Sequence, residues 1–158
     1  MTVPRITTAW VLACLLAIAG CASTPPRNDA LYQQLGEHSG IEALVETLLF
    51  RVSDDPRIAH HFADVDIIRL NDRLVEFLCV QSGGPCTYAG KPMVEAHKHV
   101  TVGEADFNAL VEDLMWAMDE RGLPRTTQNQ LLRRLAAMQR DVVRRGAPPP
   151  EAPLLPQP

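Results

Sequence analysis

The sequence predicts an all-α domain, and three observations carry that expectation. Between Asp29 and about Arg145, apolar residues recur at three- and four-residue steps. Glycine and proline punctuate the stripes between them. No run of β-branched residues alternates with polar ones over the length of a strand. The composition sets matching bounds. A chain of 158 residues has one-domain length. With 46% hydrophobic and 22% charged residues it is neither a disordered polar chain nor a membrane bundle. A formal net charge of −4 argues against nucleic acid, whose phosphates call for a basic face.

The first 20 residues stand apart, with Arg5 as their sole charge. Ala9 to Ala19 is an unbroken apolar run of 11, followed by Gly20, Cys21 and the polar stretch Ser23 to Asp29. Crossing a bilayer takes about 20 apolar residues. A core helix would show a polar face, and this run has none. Basic end, apolar middle and small-residue exit therefore read as an export signal. Ile18-Ala19-Gly20-Cys21 resembles a bacterial lipobox. That resemblance implies removal of residues 1–20, lipid on Cys21, residues 21–29 as a tether, and attachment to a membrane on the periplasmic side. Ala22 stands where an aspartate would resemble an inner-membrane retention signal, which favours the outer membrane.

The helical domain follows over residues 30–145. Leu44, Val45, Leu48, Leu49 and Val52 form a first stripe, with Ser39 as the expected cap and Pro56 beyond the end. Ile67, Leu70, Leu74, Phe77 and Leu78 form a second, ended by Gly83-Gly84-Pro85. Met93, His97 and Val100 make a third, short face. Phe107, Leu110, Val111, Leu114, Met115 and Met118 make a fourth, stopped by Gly122 and Pro124. Leu131, Leu132, Leu135, Met138 and Val142 make a fifth. Residues 146–158 hold six of the 13 prolines and read as an extended tail.

Serine-nucleophile, phosphate-loop and dinucleotide signatures are absent, and Gly83-Gly84 reads as a turn. His60 and His61 are adjacent, so on a helix they would point to different sides, and they are expected to be solvated. Cys79 and Cys86 lie seven apart without a second pair, which excludes the usual structural zinc pattern. In an oxidising compartment they predict a disulfide across the Gly83-Gly84-Pro85 turn, with two separate thiols as the alternative. Histidine remains. His97 shares a face with Met93 and Val100, while His99 points elsewhere. By spacing alone it is a satisfied core histidine or a ligand in an apolar slot.

The ordered motifs decide between these readings. Leu31-Tyr32-Gln33-Gln34-Leu35-Gly36, Arg51-Val52-Ser53-Asp54-Asp55-Pro56, Phe62, Phe77-Leu78, Gly83-Gly84-Pro85, Tyr88-Ala89-Gly90, Met93-Val94-Glu95-Ala96-His97, Phe107 and Gly122-Leu123-Pro124 follow one another along the domain. In this order and spacing the sequence resembles the group I truncated haemoglobins, the two-over-two globins. The resemblance implies a haem b between helices, with His97 as proximal iron ligand and Phe62 stacked on the porphyrin. It places Arg73 beside a haem propionate, Met93 on the proximal haem face and Tyr88 near the haem edge. It implies a diatomic gas as ligand (oxygen, nitric oxide or carbon monoxide) and an electron donor whose identity the sequence does not give.

Three positions depart from the family. Its distal tyrosine falls on Leu49 and its distal glutamine on Leu74, and the residue nearest the ligand on the distal helix is Leu70. The expected pocket is unusually apolar, suits nitric oxide or carbon monoxide, and does not favour nitric oxide dioxygenation. The family's Gly-Gly before the second helix is reduced to Gly36-Glu37, with Gly40 later. Two rival functions remain. One is a haem redox or sensor protein with His60 or His61 as sixth ligand. The other is a haem-free helical lipoprotein with an interaction role.

Overall fold

The computed structural model describes residues 28–143, and every regular element among them is helical. The export signal, Cys21, the tether as far as Arg27 and the Pro-rich tail lie outside the described residues. Along the chain run α1 (Ala30–Gln34), α2 (Glu37–Asp54), a 3₁₀ turn (Ala59–Phe62), α3 (Ile67–Ser82), α4 (Met93–Ala96), α5 (Glu104–Glu120), α6 (Arg125–Ala136) and α7 (Gln139–Val142).

The four long helices form two crossed pairs. Helix α2 packs on α3 and on α5, and α6 also packs on both α3 and α5. This is the two-over-two arrangement. The apolar stripes explain it. Helix α2 buries Ile41, Leu44, Val45, Leu48 and Val52, and α3 buries Val75, Leu78 and Cys79. Helix α5 adds Ala109, Leu114, Ala117 and Met118, and α6 adds Leu131. Each large aliphatic side chain taken out of water stabilises by about 1.5–3 kcal/mol.

Three expectations change. Helix α2 begins at Glu37, two residues before Ser39, which lies inside it with its hydroxyl returned to the Gly36 carbonyl at 3.4 Å. The corner after Leu35 is turned by two successive left-handed residues, Gly36 at φ 85° and Glu37 at φ 59°. Glu37 thus takes the conformation that a second glycine would adopt freely, at a cost of about 1–2 kcal/mol. Second, the third helix stops short of His97 and Val100. Val94, Ala96, Lys98 and His99 are exposed, so little apolar burial rewards further helix. Third, the last stripe breaks after Ala136 and resumes as α7 at Gln139. Ala136 and Ala137 at the break are exposed and leave nothing there to pack.

Candidate functional site

His97 follows the last residue of α4. Its backbone sits at φ −104° and ψ 5°, off the helical path. Its Nδ1 lies 2.9 Å from the Met93 carbonyl oxygen. A carbonyl only accepts, so Nδ1 carries the ring proton. In the neutral ring this leaves the lone pair on Nε2, which has no partner among the described residues. An imidazole oriented in this way is, in its neutral form, the donor that a haem iron takes. His97 is half-buried, as are Met93 and Val100, and His99 is exposed.

Several apolar side chains pack on the core without being covered. Leu49, Phe62, Leu74, Phe77 and Leu110 all do so. Leu70 lies one turn before Leu74 on the same face of α3 and is half-buried. The register on α2 is sharp. Leu49 packs inward while its neighbour Phe50 is 68% exposed. The half-covered apolar set and the free Nε2 fit haem. Leu49, Leu70 and Leu74 bring no hydrogen-bond donor, and on α2 the Thr47 hydroxyl is spent on the Ala43 carbonyl at 2.7 Å.

Arg73 does not stand alone as a solvated charge. Its Nη1 meets Glu76 Oε2 at 2.6 Å. The same oxygen accepts the Ala89 N–H at 3.0 Å. Tyr88 sets its ring edge-on to Phe77 at 5.6 Å and donates its hydroxyl to the Lys91 carbonyl at 3.0 Å. Partial burial pushes the Tyr88 phenol above its ordinary value. A Cβ at Gly90 would come within 2.2 Å of the Tyr88 ring, so any other residue there would displace the tyrosine. Cys79 and Cys86 are bonded, with their Cα atoms 5.9 Å apart.

The histidine pair behaves differently from expectation. His60 is exposed, but the His61 side chain is only 16% exposed, and its Nε2 lies 3.4 Å from Asp106 Oδ2. At that distance and geometry Nε2 makes no hydrogen bond. Asp106 Oδ2 is engaged by the Gly103 N–H at 2.8 Å, at the start of α5. The 3₁₀ turn carries His61 toward α5, so its solvated reading fails.

Sequence reasoning missed two features. One is Glu76, although its i, i+3 spacing from Arg73 was a usable signal. The other joins the end of α2 to α5. Arg51 Nε meets Asp113 Oδ1 at 3.0 Å, and the Arg51 guanidinium lies 5.2 Å from the centre of a Trp116 ring. Arg57 bonds Asp55 at 2.7 Å and Glu112 at 2.6 Å. The Arg57 bonds hold the Asp55 carboxyl below its ordinary value, and burial pushes Asp113 above its own. No local pattern links Arg51 to Asp113 or Arg57 to Glu112, pairs that lie 62 and 55 residues apart.

Comparison with known proteins agrees with this geometry. Residues 30–144 match the bacterial-like globin family. The chain belongs to that family. A group 1 truncated haemoglobin of Synechocystis sp. is 38% identical over 101 residues, covering 61% of this chain and 81% of that protein. One from Tetrahymena pyriformis is 28% identical over 117 residues, covering 74% and 97%. The crystal structure of the Tetrahymena pyriformis protein in its Fe(III) form superposes with a TM-score of 0.70 at 28% identity, over 72% of this chain and 97% of that one. A haemoglobin from Chloroflexus aurantiacus superposes at 0.63 and 27% identity, over 72% and 98%. This truncated globin takes haem as its cofactor, as its family does, and works as a haem-based, gas-binding protein.

Proposed function

We propose that this globin holds haem b through His97 Nε2 and takes a diatomic gas into a pocket walled by Leu49, Leu70 and Leu74. The observation that carries the reading is the His97 ring, with its proton committed to the Met93 carbonyl and its Nε2 free. Bound haem supplies an iron with an open position for oxygen, nitric oxide or carbon monoxide. Everything else is the work of side chains. Phe62 and Met93 offer apolar surface to the porphyrin faces, and Arg73 and Tyr88 lie toward its edge. The three leucines exclude water and offer no donor.

That last property sets the ligand preference. A donor to the partly charged oxygen of dioxygen contributes about 1.5–3 kcal/mol. At about 1.4 kcal/mol per tenfold, its lack speeds oxygen release by roughly 10- to 100-fold relative to a tyrosine-bearing pocket. Carbon monoxide gathers less charge and loses less. Leu49→Tyr is therefore expected to slow oxygen dissociation in stopped flow and to leave carbon monoxide dissociation nearly unchanged. Oxygen release already slow in the wild type, and unmoved by Leu49→Tyr, would mean that another donor reaches the pocket.

We also propose that the globin is exported and anchored through lipid on Cys21. The support is the apolar run followed by Ile18-Ala19-Gly20-Cys21. No helix among the described residues is long and apolar enough to cross a membrane. Cys21→Ser is expected to abolish lipid labelling and to leave unprocessed or soluble protein. Wild-type maturation that ignores globomycin would refute the lipid anchor.

A further inference from the structure

From Pro85 to Pro92 the chain has no helix, yet this stretch delivers α4 and His97. Helix α4 is four residues long, buries none of its side chains and has no side-chain cap. A helix of that length has no stability of its own. Its position is set by what holds the stretch before it, together with its packing against α7. Three ties run from one turn of α3 to that stretch. Cys79 is bonded to Cys86, Phe77 meets Tyr88, and Glu76 accepts the Ala89 N–H. The last is charge-assisted and lies nearest along the chain to α4. The Glu76 carboxylate is itself held by Arg73, one turn earlier on the same helix.

We propose that Glu76 is a positioning residue of the haem site. Its Oε2, fixed by Arg73 Nη1, holds the Ala89 amide and thereby the place at which α4 presents His97. The inference rests on His97 being the iron ligand. A carboxylate here joins the helix that carries Leu70 and Leu74 to the loop that carries the opposite, proximal side.

The test uses the full chain as wild type, Glu76→Ala and Glu76→Gln, the last keeping an acceptor oxygen. Hydrogen exchange is first followed without haem. The reporters are the Ala89 amide and the amides of Ala96 and His97, which donate to Pro92 and Met93 carbonyls at 2.8 and 3.1 Å. Glu76→Ala is expected to speed all three roughly tenfold, about 1.4 kcal/mol. Glu76→Gln should restore most of the protection, and Leu78 and Cys79 within α3 should not change. In the haem-loaded chains, transfer of haem to an excess of a scavenging apoprotein should be roughly tenfold faster for Glu76→Ala, again about 1.4 kcal/mol. Faster exchange at Ala89 alone, with Ala96 and His97 unmoved, overturns the proposal. So does faster exchange throughout α3, which would mark Glu76 as a helix-stabilising residue only. A wild-type chain that takes up no haem would overturn the haem reading, and the exchange pattern would still decide the link from Glu76 to α4.

Discussion

The proposed distal and proximal sides of the haem site are built by different physics. The distal side is two long helices, α2 and α3, whose apolar faces are buried against each other, with α5 packed on α2 and α6 on α3. The proximal side is a four-residue helix with no buried side chain, reached through a stretch held by a disulfide, an aromatic contact and one carboxylate. Packing spreads its stabilisation over many atoms, so the distal frame is cooperative with the whole fold. Discrete ties concentrate it, so the proximal side can loosen while the rest stays folded. On the proposed function, this difference gives a gas pocket of fixed frame on one side and an adjustable iron ligand on the other.

A pair of substitutions breaks the two sides separately. Leu44→Ala empties a site that is 1% exposed and is expected to lower global stability by about 2–5 kcal/mol in urea unfolding. Joint replacement of Cys79 and Cys86 by Ser opens a loop of separation seven and is expected to lower stability by roughly 2–3 kcal/mol. The sharper contrast is local. The cysteine variant should speed amide exchange at Ala96 and His97 far below the global unfolding limit, and Leu44→Ala should move them only through global unfolding. Equal local loosening in both variants would erase the distinction between packing and ties.

A smaller effect lies in the distal frame itself, where α2 ends in a buried polar contact with α5. The sign follows from each group. Asp55 is held below its ordinary value of 3.8 by Arg57. Its contribution is present above that value and is lost as pH falls through the lowered native one. Asp113 is raised above 3.8 by burial. The native state then holds its proton more tightly, so stability falls as pH rises from about 3.8 through the raised value. Urea unfolding across pH should show Asp55→Asn flattening the acid side of the profile and Asp113→Asn flattening the decline above it. Profiles that keep the wild-type shape in both variants would remove this cluster from the account.

The same contrast explains what the sequence made legible. The distal frame was readable because periodic burial writes itself into spacing, as Leu44, Val45, Leu48 and Val52 do. Even the inward register of Leu49 against the exposed Phe50 follows from that stripe. The proximal side was readable only in part. His97 was singled out by its face, but the face overstated the helix, which ends at Ala96. The Glu76–Ala89 bond spans 13 residues and uses a backbone amide, which leaves no mark on side-chain patterning. The burial of His61 leaves no sequence signal for a similar reason, since Asp106 approaches it from a distant helix. Ser39 lost its place as cap because the left-handed pair Gly36-Glu37 turns the chain earlier.

The central claim is that His97 Nε2 holds the haem iron opposite a leucine-walled pocket. The most direct measurement is the absorption spectrum of the purified, reduced protein with and without carbon monoxide, for the wild type, His97→Ala and His99→Ala. The wild type and His99→Ala should show a haem band that shifts on adding carbon monoxide. His97→Ala should lose stable haem or retain it only with added imidazole. An unchanged ferrous spectrum in His97→Ala, with loss in His99→Ala, would contradict the account.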